Sequence, residues 1–269
     1  QRQMCIRDRR YGWEVGICMK YKHNYQIGLE DVDIKGNATN RALMTMMEDI
    51  GGLHSDSVGY GLDSVERTGQ AWVVLDWKIE IIKRPHYRDE ITAYTWSRNH
   101  NIACAYRDFE LFDTQGEKLA RATSRWVLID IVKRRPLRLT QELIEKYQGE
   151  PQSQAFEEEL ENMSYPKDFF DTENAVKQRY TVLRRDIDSN MHMHNLAYLD
   201  AAGELLPQQI YEEGEKNHIR ISYKKEILYG EEITGVYIQH EDRHVVGFTD
   251  TNKGCLLYTS PSPRDMRRS

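Results

Sequence analysis

The sequence contains little cysteine and no long apolar run. Four cysteines occur in 269 residues, too few for the disulfide framework that stabilises small secreted domains and consistent with a reducing compartment. No stretch approaches the roughly 18 consecutive apolar residues that a membrane-spanning helix requires. The sequence therefore excludes a disulfide scaffold and predicts no membrane span.

Both ends of the chain resemble translated sequencing-adapter DNA. One choice of codons for residues 4–8 has a reverse complement that encodes residues 256–258 in another frame. We therefore interpret residues 1–9 and 255–269 as adapter-derived scars; the alternative is a natural disordered tail at residues 260–264. On this interpretation Met19 is the expected start, and the second half of the chain is truncated after Gly254.

The chain also lacks the excess of basic over acidic residues that is typical of nucleic-acid-binding proteins. The net charge is −6, and each scar holds three Arg and one Asp, so removing +2 at each end leaves −10. An acidic chain argues against nucleic acid as a general partner. Cys18 and Cys104 are the cysteines left outside the scars.

The first unit of the chain begins with a short strand, a turn and a helix. Thr39 and Asn40 can cap this helix. Apolar residues then recur at helical spacing, which predicts one buried stripe; they are Ala42, Leu43, Met46, Met47 and Ile50. Gly51 and Gly52 are typical of a helix end. The methionines fit either a plain core or the lining of a site for a flexible apolar ligand.

Four long strands follow the helix. Residues 71–82 are rich in β-branched and aromatic side chains, and residues 91–96, 101–112 and 118–130 continue the sheet. This order predicts an α+β fold with an antiparallel sheet wrapped around the helix. We assign residues 10–139 to this first domain, residues 140–177 to a linker that opens with a capped helix at 140–147, and residues 178–254 to a second domain.

The second domain repeats the first with an offset of 155 residues. The offset pairs Tyr25 with Tyr180, Asp31 with Asp186, Asp33 with Asp188, Asn40 with Asn195 and Ala42 with Ala197. The two turns differ in chemistry, since Lys35 and Asn37 correspond to Asn190 and His192. Because an imidazole occurs only in the second turn, we expect catalysis near His192.

Other interpretations of this turn are open to test. A polar loop with a surface histidine is the simplest of them. A calcium loop beginning at Asp186 fails, because Met191 stands where the sharp turn needs glycine and Ala197 where a bidentate glutamate is required. His192 and His194 could bind a metal with Asp188 or Glu226.

Residues 184–198 resemble the signature turn of acyl-acyl carrier protein thioesterases. Residues 223–226, 61–64 and 121–127, together with the Trp72 strand, are similar to further segments of that family. The resemblance extends from about Lys20 to Gly254. It implies a tandem, or double, hotdog fold: two antiparallel sheets, each wrapped around a long helix.

The resemblance also implies a reaction and its residues. Asp188, Asn190 and His192 would be catalytic, and Glu226 would join them from the second sheet. Water would attack the thioester, with Glu226 or His192 as general base. Asn190 and the amides at the start of the following helix would hold the oxyanion. Ile227 stands where family members often carry cysteine, which excludes a cysteine nucleophile there. No cofactor or metal is expected.

The implied substrate is a fatty acyl chain on the phosphopantetheine arm of acyl carrier protein. We expect the first domain to bind the acyl chain through Met44, Met46, Met47 and Trp72. Lys224 and Lys225 are expected near the entrance, facing an acidic partner. The expected compartment is the cytoplasm, or the plastid if the chain comes from a plant or alga, and a homodimer is considered. The alternatives are an acyl-coenzyme A thioesterase and a non-catalytic hotdog protein that binds acyl groups.

Overall fold

The computed structural model describes residues 20–150, 152–166, 168–214, 216–250 and 255–261. Cys18, Met19 and the scar at residues 1–9 lie outside the described residues. The helices are α1 (Asn40–Ser57), α2 (Val65–Thr68), α3 (Gln141–Tyr147), α4 (Asn195–Gly203) and α5 (Gln208–Glu213). The strands are β1 (Tyr21–Gln26), β2 (Gln70–Ile81), β3 (Glu90–His100), β4 (Ala105–Phe112), β5 (Lys118–Asp130), β6 (Arg135–Pro136), β7 (Val176–Thr181), β8 (His218–Ser222), β9 (Glu232–His240), β10 (Arg243–Asp250) and β11 (Cys255–Pro261).

The strands form two antiparallel half-sheets that meet edge to edge. Their order is β1-β3-β4-β5-β2-β8-β11-β10-β9-β7, with β6 beside β5. The strands β2 and β8 pair antiparallel, with Trp77 opposite Ile221, so the two half-sheets are continuous. Each half-sheet carries a helix from its own repeat. The α+β tandem hotdog fold predicted from the sequence is confirmed.

The helix α1 is the apolar centre of the first half. Thr39 caps it by accepting a hydrogen bond from the Ala42 amide at 3.1 Å. Its buried stripe packs with Trp77 and Phe109 of the sheet in one core cluster. Burying a large side chain of this kind stabilises the fold by about 1.5–3 kcal/mol.

The predicted end of α1 at Gly51 and Gly52 is wrong, because the helix continues to Ser57. Gly51 is buried, and a Cβ atom there would lie 3.6 Å from the side chains of Arg107 and Phe109. Glycine in a helix interior costs about 1 kcal/mol relative to alanine. Because they have no side chains, these two glycines make α1 thinner at a point inside the helix and do not end it.

The segment after the first half-sheet and the second repeat each contain a helix that the sequence predicts. The helix α3 is capped by Thr140, as the sequence predicts. The helix α4 is only nine residues long and is apolar around most of its circumference, with Leu196, Tyr198 and Ala202 buried. No helix among the described residues is long and apolar enough to cross a membrane.

The segment assigned to the C-terminal scar begins with a strand. The strand β11 pairs with β10 on one side and with β8 on the other. It thereby occupies the position that the sequence predicts to be missing from the second half-sheet. Strand pairing uses backbone groups that any sequence supplies, so the adapter origin of these residues stays a prediction. Residues 262–269 are outside the described residues.

Candidate active site

The turn before α4 repeats the backbone-to-carboxylate hydrogen bonds of the turn before α1. The Asp31 carboxylate accepts a hydrogen bond from the Gly28 amide at 2.7 Å, and the Asp186 carboxylate accepts one from the Leu183 amide at 2.7 Å. The buried Asp186 also accepts a hydrogen bond from the Tyr180 hydroxyl at 2.7 Å. Asp186 therefore shapes the turn.

The Asp188 carboxylate holds the backbone at the tip of the turn. The Asp188 Oδ1 atom accepts hydrogen bonds from the amides of Asn190 at 2.8 Å and His192 at 3.2 Å. Asp33 does the same for Lys35 and Asn37. An Asx turn of this type fixes the direction of the following side chains. Asp188 therefore positions Asn190 and His192 without touching the imidazole.

His192 and Glu226 form a close pair. The His192 Nε2 atom lies 3.0 Å from Glu226 Oε2, and their side chains are 21% and 45% exposed. A backbone bridge between His192 and Leu228 joins the two segments. The resemblance places Glu226 on the second sheet, but the strand β8 stops at Ser222. Glu226 therefore reaches the site from the irregular segment after β8. The backbone of the turn pairs with this segment.

Arg134 is a residue of the site that the sequence does not identify. Its Nη2 atom lies 2.6 Å from Glu226 Oε2 and 3.4 Å from His192 Nε2. It stands in the tight turn between β5 and β6 with a φ of +50°. The sequence places it in a basic run 92 residues from Glu226, and no local spacing signals the contact. The first domain thus supplies a cation to the candidate catalytic pair.

His194 and Asn195 face a different carboxylate, that of Glu48 on α1. The Asn195 amide donates to Glu48 Oε1 at 3.3 Å, and His194 Nε2 lies 3.7 Å from Glu48 Oε2. The two histidines of the turn therefore approach different glutamates. Among the described residues, no group of three or more His, Cys, Asp or Glu side chains is placed to hold a metal ion.

The first amides of α4 already have partners. The Leu196 amide donates to His194 Nδ1 at 3.2 Å, and the Ala197 amide donates to the His194 carbonyl at 2.9 Å. The sequence suggests these amides as oxyanion donors. In this structure His194 occupies both of them as the N-cap of the helix. The Asn190 side chain donates one N–H to Asp188 Oδ2 at 3.4 Å and has a second N–H left for an oxyanion.

A cavity of about 200 Å³ lies between α1 and the first half-sheet. Gly52, Leu62 and Asn190 are exposed lining residues, so the cavity opens to the surface beside the turn. The other lining residues include Glu48, Gly51, Ser55, Trp72, Arg107, Trp126, Leu139, Leu143 and Tyr147. Trp72 is the predicted acyl-binding residue among them. Met44, Met46 and Met47 are buried in the core cluster and are absent from this described lining.

Part of the cavity wall is polar and buried. Arg107 donates to His54 Nδ1 at 2.9 Å, and the Trp72 indole donates to the Tyr147 hydroxyl at 2.9 Å. Burial, followed by the charge of Arg107, lowers the pKa of His54 to about 3. His54 is therefore neutral at pH 7 and accepts from the guanidinium.

The pKa values of two groups between the cavity and the turn, Glu48 and His194, are also shifted. Burial raises the pKa of Glu48 to about 7, with the charge of Asp188 acting in the same direction, while the Asn195 hydrogen bond and Arg41 oppose the rise. Burial lowers the pKa of His194. A low-dielectric surrounding disfavours the charged form of both groups, so this contact favours a neutral carboxyl facing a neutral imidazole.

Comparison with known proteins gives one family over most of the chain. Residues 18–147 match the model of the acyl-ACP thioesterase N-terminal domain, and residues 170–254 match that of the C-terminal domain. Oleoyl-acyl carrier protein thioesterase 2, chloroplastic, of Arabidopsis thaliana is 28% identical over 260 residues, which cover 90% of this chain and 70% of that protein.

More distant relatives agree. The chloroplastic palmitoyl-acyl carrier protein thioesterase of Cuphea hookeriana is 22% identical, and the chain spans about half (51%) of its length. The solved 12:0-ACP thioesterase from Umbellularia californica shares the fold with a TM-score of 0.76 at 20% identity. That match covers 91% of this chain and 97% of the other.

Proposed function

The chain belongs to the acyl-ACP thioesterase family, and we propose from this premise that it hydrolyses the thioester between a fatty acyl chain and acyl carrier protein. The observation that supports the proposal is the position of the cavity. It opens at Asn190, the middle one of the three turn positions that the family resemblance assigns to catalysis. An acyl chain in the cavity would leave its thioester beside the turn.

Water is the proposed nucleophile. Its oxygen bonds to the thioester carbonyl carbon while the His192–Glu226 pair takes its proton. The carbon–sulfur bond then breaks, and the pantetheine sulfur leaves with a proton as a thiol. A positioned general base of this kind contributes about 10²- to 10⁴-fold in rate. The contact of 3.0 Å allows either member of the pair to accept the proton.

Asn190 and Asp188 have complementary proposed roles. The Asn190 side-chain amide is the proposed hydrogen-bond donor to the developing oxyanion. Asp188 keeps Asn190 and His192 on one turn through the amide hydrogen bonds at 2.8 and 3.2 Å. A displacement of about 1 Å in such a site can lower the rate about 10²-fold. Asp188 is therefore proposed to act through position.

The acyl chain is proposed to lie along α1 in the first domain. Gly51 and Gly52 leave room on the helix face that lines the cavity, and Trp72 supplies apolar surface opposite. Met44, Met46 and Met47 stay predictions as acyl-binding residues, although they are buried in the core cluster. They would influence the chain through packing.

The proposed partner is acyl carrier protein with its phosphopantetheine arm. Lys224 and Lys225 are exposed next to Glu226, and Arg134 lies on the same side of the site. Opposite charge on an acidic carrier protein would speed its encounter with this surface. The reaction is proposed to end fatty-acid elongation, in the cytoplasm or, for a plant or alga, in the plastid. A homodimer stays a prediction that the solution mass of the purified chain checks.

A thioesterase assay tests the function directly. The purified chain is expected to release free fatty acid from oleoyl-acyl carrier protein faster than from oleoyl-coenzyme A. His192→Ala and Glu226→Ala should abolish most of this rate, while His23→Ala on the exposed face of β1 should not. Activity only on the coenzyme A ester would contradict acyl carrier protein as the partner. Equal rates for the wild type and the three variants would contradict the assignment of His192 and Glu226 to the active site.

A further inference from the structure

Glu48 is a carboxyl group that neither the sequence nor the proposed mechanism uses. It stands on α1 four residues before Gly52, on the same helix face, and lines the cavity together with Asn190. Its side chain is only 15% exposed. Ionised carboxylates are rarely buried unless they are paired, so its position at the acyl cavity calls for a role.

The neighbours of Glu48 are hydrogen-bond donors that carry no formal charge. The Asn195 amide donates to Oε1 at 3.3 Å. His194 uses Nδ1 to accept from the Leu196 amide, so in the neutral imidazole the proton is on Nε2, which faces Glu48 Oε2 at 3.7 Å. Both contacts leave room for a proton on the carboxyl group.

The charged groups around Glu48 do not compensate an ionised carboxylate. On its own helix, Arg41 forms an ion pair with Asp200 of α4. The turn contributes Asp188, whose negative charge repels a second one, and the neutral His194. After β8, the hydroxyl of the half-buried Tyr223 donates to the Asn195 carbonyl at 3.3 Å. The surroundings as a whole raise the pKa of Glu48 to about 7, so the protonated form is populated at neutral pH and dominates below it.

We propose that Glu48 is a further catalytic residue, a protonated carboxyl that donates a hydrogen bond to the thioester carbonyl at the same opening as Asn190. This inference rests on the proposed function. The two donors would share the negative charge that develops on the carbonyl oxygen when water attacks. Glu48 gives up no proton in the step, because it returns to the neutral ground state when the carbonyl reforms. Asn195 and His194 hold its carboxyl group toward the cavity.

The first test compares pH profiles of kcat/KM on oleoyl-acyl carrier protein. The wild type should lose activity as the pH rises through about 7, because the ionised carboxylate cannot donate. Glu48→Gln keeps a neutral donor of the same shape and should lose this decline. Glu48→Ala should lower kcat/KM at pH 6 by about 10²- to 10³-fold, the usual effect of removing one oxyanion donor.

Asp49→Asn is the matched control. Asp49 is the next residue of α1, and its carboxylate accepts from the Tyr25 hydroxyl at 2.8 Å on the outer side of the helix. This variant should follow the wild-type profile. A purely structural link between α1 and α4 would instead make Glu48→Ala lower the thermal stability and leave the high-pH decline present in Glu48→Gln.

A binding measurement separates this inference from the proposed function. The probe is an oleoyl-pantetheine ketone, in which a methylene group replaces the sulfur. Wild-type affinity for it should fall above pH 7, and that of Glu48→Gln should not. If the wild type hydrolyses no ester but binding shows this difference, the proposed function is wrong, and hydrogen-bond donation from Glu48 to a bound carbonyl is still supported. Coinciding pH dependences of the two proteins, in hydrolysis or in binding, would overturn the role of Glu48.

Discussion

His192 and Glu226 are 34 residues apart in the chain, yet His192 Nε2 lies 3.0 Å from Glu226 Oε2. The contact follows from backbone pairing, because the Met193 amide donates to the Ile227 carbonyl at 2.7 Å. The turn and the segment after β8 therefore carry the two side chains to one place. A pair held in this way should act as one catalytic unit.

The first prediction concerns this unit. His192→Ala and Glu226→Gln should each lower kcat about 10²- to 10⁴-fold, and the double variant should be no slower than the slower single variant. Residues that act together are strongly non-additive in this way. Steady-state kinetics of the three variants checks the expectation. If the rate losses of the two single variants instead multiply in the double variant, the two residues serve separate steps.

The second prediction concerns the carrier protein. Lys224→Glu with Lys225→Glu should raise KM for oleoyl-acyl carrier protein several-fold at low salt, because repulsion replaces attraction, and the effect should shrink as salt screens the charges. Rates on oleoyl-pantetheine, which has no protein partner, should not change. Lys83→Glu is the control, since Lys83 pairs with Glu117 at 2.9 Å. An unchanged KM in the double variant would exclude these lysines from docking.

The parts of the site that the sequence predicts are local ones. Asp188, Asn190 and His192 follow each other on one turn, and the same turn occurs 155 residues earlier with its hydrogen bonds intact. Periodicity likewise predicts the buried stripe of α1, because each turn of the helix buries its own residues. Such patterns are visible wherever the chain itself sets the spacing.

The parts that the sequence does not predict depend on packing between distant segments. Arg134 reaches Glu226 from the other domain, and Glu48 reaches Asn195 across 147 residues. Gly51 and Gly52 are mistaken for a helix end because glycine is common there, whereas here tertiary packing holds the helix together. Only the folded structure gives these glycines their role in the cavity.

The third prediction follows from the role of these glycines. Gly52→Leu should shift the preference toward shorter acyl chains, because a side chain at Gly52 meets open space in the cavity lining. Gly203→Leu is the control, since Gly203 also meets open space but lies on α4 and does not line this cavity. If Met46→Leu leaves the preference unchanged, that result counts against the predicted acyl-binding role of the core methionines. Rates on esters of several lengths decide among these outcomes.

The fourth prediction is a pH dependence of stability that comes from His54. Its pKa in the folded state, about 3, lies below the ordinary value of 6.5, so the unfolded chain binds a proton first as the pH falls. His54 therefore lowers the free energy of unfolding as the pH falls from about 6.5 toward 3, by up to about 1.4 kcal/mol per pH unit. Above about pH 6.5 the contribution of His54 to the free energy of unfolding is fully present and no longer changes with pH.

Urea denaturation at pH 7 and pH 5 measures this effect. His54→Asn keeps an acceptor for Arg107 and removes the titration, so it should lose less stability between the two pH values than the wild type. His23→Asn, on the exposed face of β1, should lose as much as the wild type. Equal losses in all three proteins would mean that His54 is not held neutral in the fold.

The fifth prediction compares Met191 with Gly36, its counterpart in the first turn. Both have left-handed backbones, with φ values of +65° and +80°, but only glycine adopts this conformation without steric cost. The Met191 side chain is 69% exposed and loses little packing when it is removed. Met191→Gly should therefore raise the free energy of unfolding by up to about 1 kcal/mol.

The reverse change in the first turn should be unfavourable. A Cβ atom at Gly36 would lie 2.5 Å from the His86 ring, so Gly36→Ala should lower the free energy of unfolding by about 1–3 kcal/mol. Thermal or urea unfolding measures both variants. Since Met191 lies between Asn190 and His192, kinetics of Met191→Gly shows in addition whether the strained residue holds these two side chains in place. A more stable but slower enzyme is the expected result, because glycine relaxes the turn that Asp188 fixes.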